Sequence, residues 1–410
     1  MTDQLVRLGD VADMLVGFSF KSQDFLEASA TGVKLVRGDN VQQGSIRWGS
    51  KAKKWRGDSY GDFERYQLRL DDVVLAMDRP IVGGGLKLAW VKEQDLPCLL
   101  VQRVTRIRGI TGVALTNYLR YALSAPDFAS HIHRITTGAN IPHISGRDIA
   151  SFQFKLPAIA EQERMVEQIA PYDDLIETNR RRITLLEESA RLLYREWFVN
   201  LRFPGYQLLS LIDGLPENWH RTKYGDIVDA IGGATPSTKR PDYWDGDIGW
   251  LTPTDVTRND CLYLSDSVRK ITETGYDSCS AKLLPAGTIF MTSRASIGYF
   301  ALLDKPACTN QGFIAIVPKV HNTRNFLLFN LMNRVDELEA KATGSTFKEL
   351  GKRTFREMMV VLPSEDVLGM FEAVIQPIIE QVTVLKKQLI ALTCARDELL
   401  PRLMSGAIRV

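Results

Sequence analysis

The side chains that could carry out chemistry in this sequence do not form a known catalytic or metal-binding pattern. His131 and His133 lie two residues apart on a predicted helix, so they would point to different sides and make a poor pair of metal ligands. The glycine run IVGGGLK, residues 81–87, lacks the G-x-x-x-x-G-K-[ST] spacing of a phosphate-binding loop. We therefore expect no catalytic residue, no metal site and no cofactor bound by this chain itself.

The composition is typical of a folded protein with several domains. The 410 residues are 45% hydrophobic and 24% charged, and this length predicts two or three domains. We find no secretory signal and no run of about 18 apolar residues, so we expect a cytoplasmic protein without a membrane partner. The five scattered cysteines predict neither disulfides nor zinc ligands. A net charge of +2 means that any nucleic-acid-binding surface must be local.

The chain contains an internal repeat. The stretch LPENWHRTKYGDIV, from Leu215, reads like a second domain start and resembles the N-terminal QLVRLGDV. Residues 73–83 align with residues 288–298 at an offset of 215, which pairs Arg79 with Arg294. The offset falls to 206 toward the end of each copy, as insertions and deletions in loops would produce. This pattern predicts a tandem duplication of one fold.

Each copy ends in a long helical periodicity with apolar residues at alternating steps of four and three, typical of an a/d seam. Asn179 and Arg396 interrupt the seam, one in each copy. A buried Asn179 could fix the helix register, or it could lie in water at the seam edge, where we also expect Arg396. Pro171 and Pro377 should kink or restart their helices rather than abolish them. The predicted seam contains Ile176, Ile183, Leu186, Leu193, Val382, Leu389, Leu392 and Leu399.

These elements predict an α+β fold. Short stretches rich in Val, Ile, Phe and Trp, broken by Gly, Pro and Asn, are typical of strands and loops. Because the first helix leads into the second copy and the second helix leaves it, the helices should run antiparallel. We predict two similar globular domains separated by a two-helix coiled coil and related by a pseudo-two-fold repeat. The predicted bounds are 1–157 for the first domain, 158–200 for the first spacer helix, 201–214 for a linker, 215–363 for the second domain and 364–405 for the second spacer helix.

Four stretches carry a resemblance to a known family: LPENWHRTKYGDIV, TTGANIPHISGRDIASFQFKLP, ATGSTFKELGKRTFREMMVVLP and LLYREWFVNLRFPG. In their order and duplication they resemble the specificity subunit of type I restriction-modification systems, over essentially the whole chain. The resemblance implies that each globular domain is a target recognition domain reading one half of a bipartite double-stranded DNA site. It also implies that the helices set the spacing between the halves.

The resemblance further implies partners. Two copies of a DNA adenine methyltransferase subunit would dock on this chain, and restriction subunits with translocase and nuclease activity would join them. S-adenosylmethionine would be bound by the methyltransferase, and the chain itself would have no catalytic residues. Because the two copies differ in sequence, the two half-sites should differ as well.

Reading base edges requires side chains with directional donors and acceptors, placed in loops. For any one candidate, the alternative is a role in a turn or in structural pairing. In the first domain the candidates are Arg37, Asp39, Asn40, Arg79, Asn140 and His143, with Lys53 and Lys54 of the basic stretch 48–58 as phosphate contacts. In the second domain they are Thr254, Asp255, Arg258, Ser293, Arg294, Thr346 and Lys348.

Two other functions remain open from the sequence. The chain could be a free-standing modification or restriction enzyme whose diverged catalytic site is hidden in the globular domains. It could also be a coiled-coil adaptor that does not touch DNA. Cofactor-dependent activity of the purified chain alone would favour the enzyme. Failure to bind any specific duplex, even with the methyltransferase present, would favour the adaptor.

Overall fold

The computed structural model describes residues 4–49, 52–82, 85–136, 143–208, 210–212, 214–344 and 347–408. The chain forms two compact units, the first of residues 1–174 with 393–410 and the second of residues 175–392. Both divisions fall inside long helices. They therefore do not test the predicted domain bounds, which follow the helix ends and stay a prediction.

Among its described residues, the first unit contains short strands and short α-helices, followed by the start of a long helix. In chain order its elements are β1 (Gln4–Arg7), α1 (Leu8–Val11), β2 (Ala12–Val16), β3 (Val33–Val36), β4 (Val41–Gln42), β5 (Ser45–Ile46), β6 (Lys54–Trp55), β7 (Val73–Ala76), β8 (Ile81–Val82), β9 (Gly85–Leu86), β10 (Leu88–Trp90), β11 (Cys98–Leu100), β12 (Val104–Gly109), α2 (Thr116–Ser124), α3 (Pro126–Thr136), α4 (Gly146–Ala150), β13 (Gln153–Leu156) and the start of α5 (Ile159–Tyr194).

Strand β7 explains how the first unit builds its core. The antiparallel sheet has the order β10-β7-β12-β2, so β7 is an inner strand, and all four of its residues are buried. Val73 and Leu75 point into one apolar cluster with α2 and α3, while Val74 and Ala76 point into another. A strand covered on both faces is typically apolar throughout, as this one is. A second sheet, β11-β3-β6, and the pair β1-β13 complete the unit.

The second unit repeats this arrangement. Its elements are β14 (Leu211–Ile212), β15 (Leu215–Pro216), β16 (His220–Lys223), α6 (Tyr224–Ile227), β17 (Val228–Gly232), β18 (Trp244–Leu251), α7 (Pro253–Thr257), β19 (Arg269–Ile271), α8 (Glu273–Asp277), β20 (Ile289–Thr292), β21 (Phe300–Leu302), β22 (Cys308–Thr309), β23 (Phe313–Pro318), α9 (Arg324–Asn333), α10 (Val335–Ala340), α11 (Lys352–Glu357), β24 (Met359–Leu362) and α12 (Glu365–Met404). The sheet β17-β23-β20-β21 corresponds strand by strand to β2-β12-β7-β10. The sheets β19-β18-β22 and β16-β24 correspond to β6-β3-β11 and β1-β13. The predicted α+β duplication is therefore confirmed.

Backbone hydrogen bonds give the residue-by-residue equivalence of the two units. In the first unit Met77 N donates to Arg103 O at 2.8 Å, and in the second Ser293 N donates to Gly312 O at 2.8 Å. These bonds place Met77 on Ser293, an offset of 216, so the next residues, Asp78 and Arg294, are equivalent. The predicted pairing of Arg79 with Arg294 is wrong by one residue, because the sequence alignment did not place an insertion before β20.

The long helices run antiparallel within the second unit. Asn179 lies beside Gln388, while Trp197, in the π-helical turn after α5, packs on Phe371 with ring centroids 5.6 Å apart. Asn179 is buried, so it does not lie in water at a seam edge. Ile176, Ile183, Val382 and Leu389 are buried in one cluster, with Leu186 and Leu392 partly buried against it; Leu193 is partly buried against the main core. This is the environment that the seam pattern predicts.

The same two helices run antiparallel within the first unit. Ile169 of α5 clusters with Leu400 and Leu403 of α12, with Leu399 partly buried beside them. Arg396 pairs with Asp173 at 3.0 Å, and only 24% of its side chain is exposed. The expectation that Arg396 lies in water is therefore wrong, because a carboxylate on the facing helix pairs with its guanidinium. Helices α5 and α12 continue across their prolines.

Helix α12 is long and apolar enough, by length and composition alone, to cross a membrane. Its most apolar 18-residue window has a mean hydropathy of 1.3, and 33% of that window is buried. The apolar part of α12 is interrupted by glutamate and glutamine residues, so it is not an unbroken run of about 18 apolar residues. The same helix buries Phe371 and Ile375 in the core of the second unit, as a core helix of a soluble protein would.

Candidate nucleic-acid interface

Several loops meet at one end of the first unit's sheets. Met77, after β7, is bonded to Arg103 before β12, and Ile144 N donates to Met77 O at 2.9 Å. Gly38, after β3, lies beside them, since a Cβ added there would lie 3.9 Å from both Ala76 Cβ and Arg103 O. We call this region the first loop edge and define it as residues 37–40, 77–80, 101–103 and 143–144.

The equivalent loops meet in the second unit. Ser293, after β20, is bonded to Gly312 before β23, and Leu350 N donates to Ser293 O at 2.9 Å. A Cβ added to Gly312 would lie 2.7 Å from the ring of Pro253, the first residue of α7 after β18. We call this region the second loop edge and define it as residues 252–258, 293–298, 309–312, 343–344 and 347–350. The two edges contain the predicted residues Arg37, Asp39, Asn40, Arg79 and His143, and Thr254, Asp255, Arg258, Ser293, Arg294 and Lys348.

Asn40 and Asp255 occupy equivalent positions and hold turns. Asn40 is 5% exposed; its Oδ1 accepts from Arg37 N and its Nδ2 donates to a backbone carbonyl, both at 3.1 Å. Asp255 is 8% exposed and accepts from Thr252 N at 2.6 Å and from a second backbone amide at 3.0 Å. Because buried polar groups keep their partners, these side chains are committed to supporting the loops. Their placement does not favour the predicted base contacts.

The first loop edge carries an exposed charge cluster of Asp78, His143 and Arg103. His143 Nδ1 lies 2.5 Å from Asp78 Oδ1, and Arg103 Nη1 lies 3.4 Å from His143 Nε2. Arg103 Nε is 3.8 Å from Asp78 Oδ2. The side chains of Asp78, Arg103 and His143 are 45%, 58% and 40% exposed. The cluster therefore presents a guanidinium to solvent in contact with a carboxylate and an imidazole that are themselves partly exposed.

The second loop edge places the opposite charges at the equivalent positions. Arg294 stands where the first unit has Asp78, and its Nε lies 3.8 Å from Oε2 of Glu349, which stands where the first unit has His143. About half of each side chain is exposed, at 52% and 48%. Lys348 and Phe347 are exposed beside this pair.

The first loop edge also contains two arginines with left-handed backbone. Arg79 has φ 46° and Arg103 has φ 69°, values at which glycine is the least strained residue. Such a conformation costs a non-glycine residue about 1–3 kcal/mol. The exposed Arg103–Asp78 ion pair contributes only about 0.2–1 kcal/mol. The pair therefore does not offset the backbone strain at Arg103, so folding stability alone does not account for an arginine there.

Comparison with known proteins decides the family. The sequence profile described as "Type I restriction modification DNA specificity domain" matches residues 3–188 and again residues 216–391. The chain belongs to this family. The family recognised from the sequence is therefore confirmed, and the chain carries two matches to its DNA specificity domain.

Individual relatives of this chain are specificity subunits of type I restriction enzymes. The type I restriction enzyme MjaIX specificity subunit of Methanocaldococcus jannaschii is 39% identical over 185 residues, covering 43% of this chain and 43% of that relative. The match thus spans less than half of that relative's length. The HindI specificity subunit of Haemophilus influenzae is 22% identical over 83% of this chain and 87% of its own length. The solved S subunit from M. genitalium has a TM-score of 0.60 and 15% identity, over 98% of this chain and 96% of its own, which shows a shared fold.

The two basic candidates of the specificity subunit away from the loop edges are already bonded. Lys53 Nζ lies 2.6 Å from Glu27 Oε1, and Lys54 Nζ donates to Ala30 O at 2.7 Å. Both residues lie on or beside β6, which pairs with β3. A phosphate contact from either lysine would have to compete with these partners, and it stays a prediction.

The remaining candidates differ in exposure. Ser293 is 2% exposed, which places its hydroxyl inside the loop edge. Asn140 and Thr346 lie outside the described residues. The exposed candidates are Asp39, Arg79, His143, Thr254, Arg258, Arg294 and Lys348. Within the described ranges, no group of three or more His, Cys, Asp or Glu side chains is placed to hold a metal ion.

Sequence reasoning missed Asp78, Arg103 and Glu349. Asp78 is next to Arg79, and the one-residue alignment error drew attention to the arginine instead. Arg103 belongs to no recognisable motif, and its left-handed backbone conformation has no signal in the sequence. Glu349 is next to Lys348 and bridges to Arg294 only through the fold. A correct alignment would have indicated that Asp78 and Arg294 are equivalent and opposite in charge.

Proposed function

We propose that this specificity subunit reads an asymmetric bipartite site in double-stranded DNA, one half with each loop edge, and performs no catalytic step itself. The observation that supports this proposal is the presence of two equivalent loop edges with different exposed side chains. Equivalent loops let both units approach DNA in the same way, while different donors and acceptors prefer different bases.

The arrangement of charge also favours base reading over general attachment to DNA. The exposed residues at the edges include arginines, carboxylates, a histidine and a threonine, rather than a uniform lysine surface. Phosphate contacts position a protein on DNA, whereas directional donors and acceptors specify the sequence. With a net charge of +2, the chain would gain much of its DNA affinity from partner subunits.

The proposed partners are two copies of a DNA adenine methyltransferase subunit, joined by restriction subunits that translocate and cleave. A chain with an internal repeat offers two similar docking surfaces, which suits two identical partners. The methyltransferase would bind S-adenosylmethionine and take the target adenine out of the duplex. In this proposal the long helices set the gap between the half-sites, and the complex acts in the cytoplasm without a membrane partner.

The test is to express the chain with its methyltransferase in a methylation-free host and to map N6-methyladenine by single-molecule sequencing. We expect one asymmetric motif made of two half-site sequences, here called words, separated by a fixed gap. Methylation without a defined motif would contradict the recognition role. A stable complex that binds S-adenosylmethionine but methylates nothing would favour the adaptor. Methylation by the chain alone would favour the enzyme.

The variant Arg294→Ala tests whether one word is read by the second unit alone. If Arg294 makes a bidentate contact to guanine, its loss should cost about 1–3 kcal/mol and relax one position of one word. The other word should stay unchanged. Relaxation of both words, or of neither, would contradict the assignment of one half-site to each loop edge.

A further inference from the structure

The charge cluster of the first loop edge is arranged differently from a surface ion pair that only adds stability. Asp78 and His143 contact each other directly, and Arg103 lies against both of them. The guanidinium therefore contacts two side chains that come from two other loops. With 58% of its side chain exposed, it still presents donors to solvent.

The backbone at Arg103 supports a role for its side chain. Its φ of 69° lies in the left-handed region, where glycine is the least strained residue. The second unit has Gly312 at the equivalent position, as the matched bonds from Met77 and Ser293 show, but the backbone of Gly312 is not left-handed. The left-handed backbone is therefore particular to Arg103 and is not a feature of the turn in both units. Non-glycine residues held in this conformation concentrate at ligand-binding sites.

We propose that Arg103 reads a guanine in the first half-site and that Asp78 and His143 are its positioning residues. Arginine is the side chain best suited to donate two hydrogen bonds to the O6 and N7 atoms of guanine. A carboxylate behind the guanidinium keeps its planar face in one orientation, which a two-bond contact requires. This inference rests on the proposed function, since it names one reading residue for one half-site.

The two loop edges carry their arginine and their carboxylate on opposite loops. In the second unit the arginine is Arg294, on the loop after β20, and its carboxylate is Glu349. In the first unit the carboxylate Asp78 is on the equivalent loop, and the arginine comes from the turn before β12. The two edges thus present their arginines from different loops. We expect the two guanines to occupy different positions within their words.

The test compares Arg103→Gly with a matched control, Asp71→Gly. Asp71 has φ 66°, lies in the turn before β7, and pairs through an exposed carboxylate with Arg120 at 3.8 Å. Both variants relieve left-handed strain and remove one ion pair, but Asp71 lies at the opposite end of β7 from the loop edge. Each variant is expressed as full chain with the methyltransferase. Its methylation motif is mapped, and its binding to duplexes carrying each base at each position is measured.

We expect Arg103→Gly to relax one guanine position of one word and to lower binding to the wild-type site by about 5- to 100-fold. Binding to duplexes already changed at that position should not fall further. Asp78→Asn should reduce the same guanine preference by a smaller factor. Asp71→Gly should keep the full motif. The word relaxed by Arg294→Ala should stay intact in Arg103→Gly.

Three results would overturn the inference while leaving the proposed function in place. Arg103→Gly could retain the full motif, or it could relax the word that Arg294→Ala also relaxes. It could also weaken binding to all duplexes equally, which indicates a phosphate contact. A wild-type complex that methylates without any bipartite motif would overturn both the proposed function and the inference.

Discussion

The first and second loop edges share their supports and differ in what they expose. Asn40 and Asp255 hold equivalent turns through buried hydrogen bonds. Asp78 and Arg294, also equivalent, are exposed and carry opposite charges. Buried polar groups must keep their partners in both copies, whereas exposed side chains can change without loss of the fold. The comparison therefore separates the residues that build a reading loop from the residues that decide what it reads.

The long helices show a second difference between the units. In the first unit Ile169 packs against Leu400 and Leu403, and Asp173 also pairs with Arg396 and with Arg120, both at 3.0 Å. In the second unit they meet through the apolar seam and one neutral contact, from Asn179 Nδ2 to Gln388 Oε1 at 3.4 Å. The helix pair thus has apolar packing in both units, and a buried ion cluster is added to it in the first.

The largest expected effect is the loss of Asp173. Replacing Asp173 by Ala leaves the largely buried guanidinium of Arg120 without its closest carboxylate, and removing one partner of a buried pair costs about 3–5 kcal/mol. Asp397→Ala is the matched control, since Asp397 also pairs with Arg396 but is 58% exposed, and it should cost less than about 1 kcal/mol. Urea denaturation measures both. Equal losses would mean that the ion cluster is not a buried structural unit.

The next largest expected loss of stability comes from replacing Asp255 or Asn40, the buried side chains that hold the two loop edges. Asp255→Ala removes a buried carboxylate bonded to two backbone amides, and we expect a loss of about 3 kcal/mol of unfolding free energy. Asn40→Ala removes neutral bonds at the equivalent place and should cost about 1 kcal/mol. The methylation motif should persist in both variants wherever the protein is folded. A changed base preference in folded Asn40→Ala would mean that Asn40 contacts a base and does not only support the loop.

The sequence was sufficient for the repeat, the fold class and the helix seam, because these depend on periodic apolar residues that both copies retain. It was also sufficient, in retrospect, for Asp255, since Thr252-x-x-Asp255 has the spacing of a capping box. It was insufficient for Arg103 and Glu349. Their roles depend on which loops meet and on one left-handed residue, and neither has a periodic signature. A one-residue insertion was enough to hide the equivalence of Asp78 and Arg294.

A double exchange sharpens the comparison of exposed charges. Arg294→Glu with Glu349→Arg reverses the ion pair of the second edge while keeping its net charge. Because the pair is exposed, unfolding free energy should change by less than about 1 kcal/mol. Binding to the wild-type second word should fall by about 1–3 kcal/mol, with a new base preferred at the affected position. Binding to a series of duplexes that carry each base at each position measures the change in preference. An unaltered second word would mean that neither Arg294 nor Glu349 contacts a base.

The smallest expected effect is a change in the pH dependence of stability at Glu187, a buried carboxyl on the same helix as Asp173. Asp173 is paired with two arginines, whereas Glu187 accepts from Leu262 N at 2.5 Å and has Arg191 at 3.9 Å. Burial raises the pKa of the Glu187 carboxyl above its ordinary 4.5, and the Leu262 amide offsets this only in part. Folded Glu187 therefore holds its proton more tightly than the unfolded chain does, so its contribution to stability is most favourable below about pH 4.5 and is lost as the pH rises through the folded pKa.

Glu187→Gln should remove this penalty, because the amide oxygen can still accept from Leu262 without carrying a charge. We expect the variant to be more stable than the parent at about pH 8 and to lose that advantage toward about pH 4.5, as measured by urea midpoints at both values. Glu188→Gln, at an exposed neighbouring position, is the matched control for the change of side chain. A variant that is less stable than the parent at high pH would mean that the ionised carboxylate is needed by Arg191, and that the second unit also depends on a buried charge.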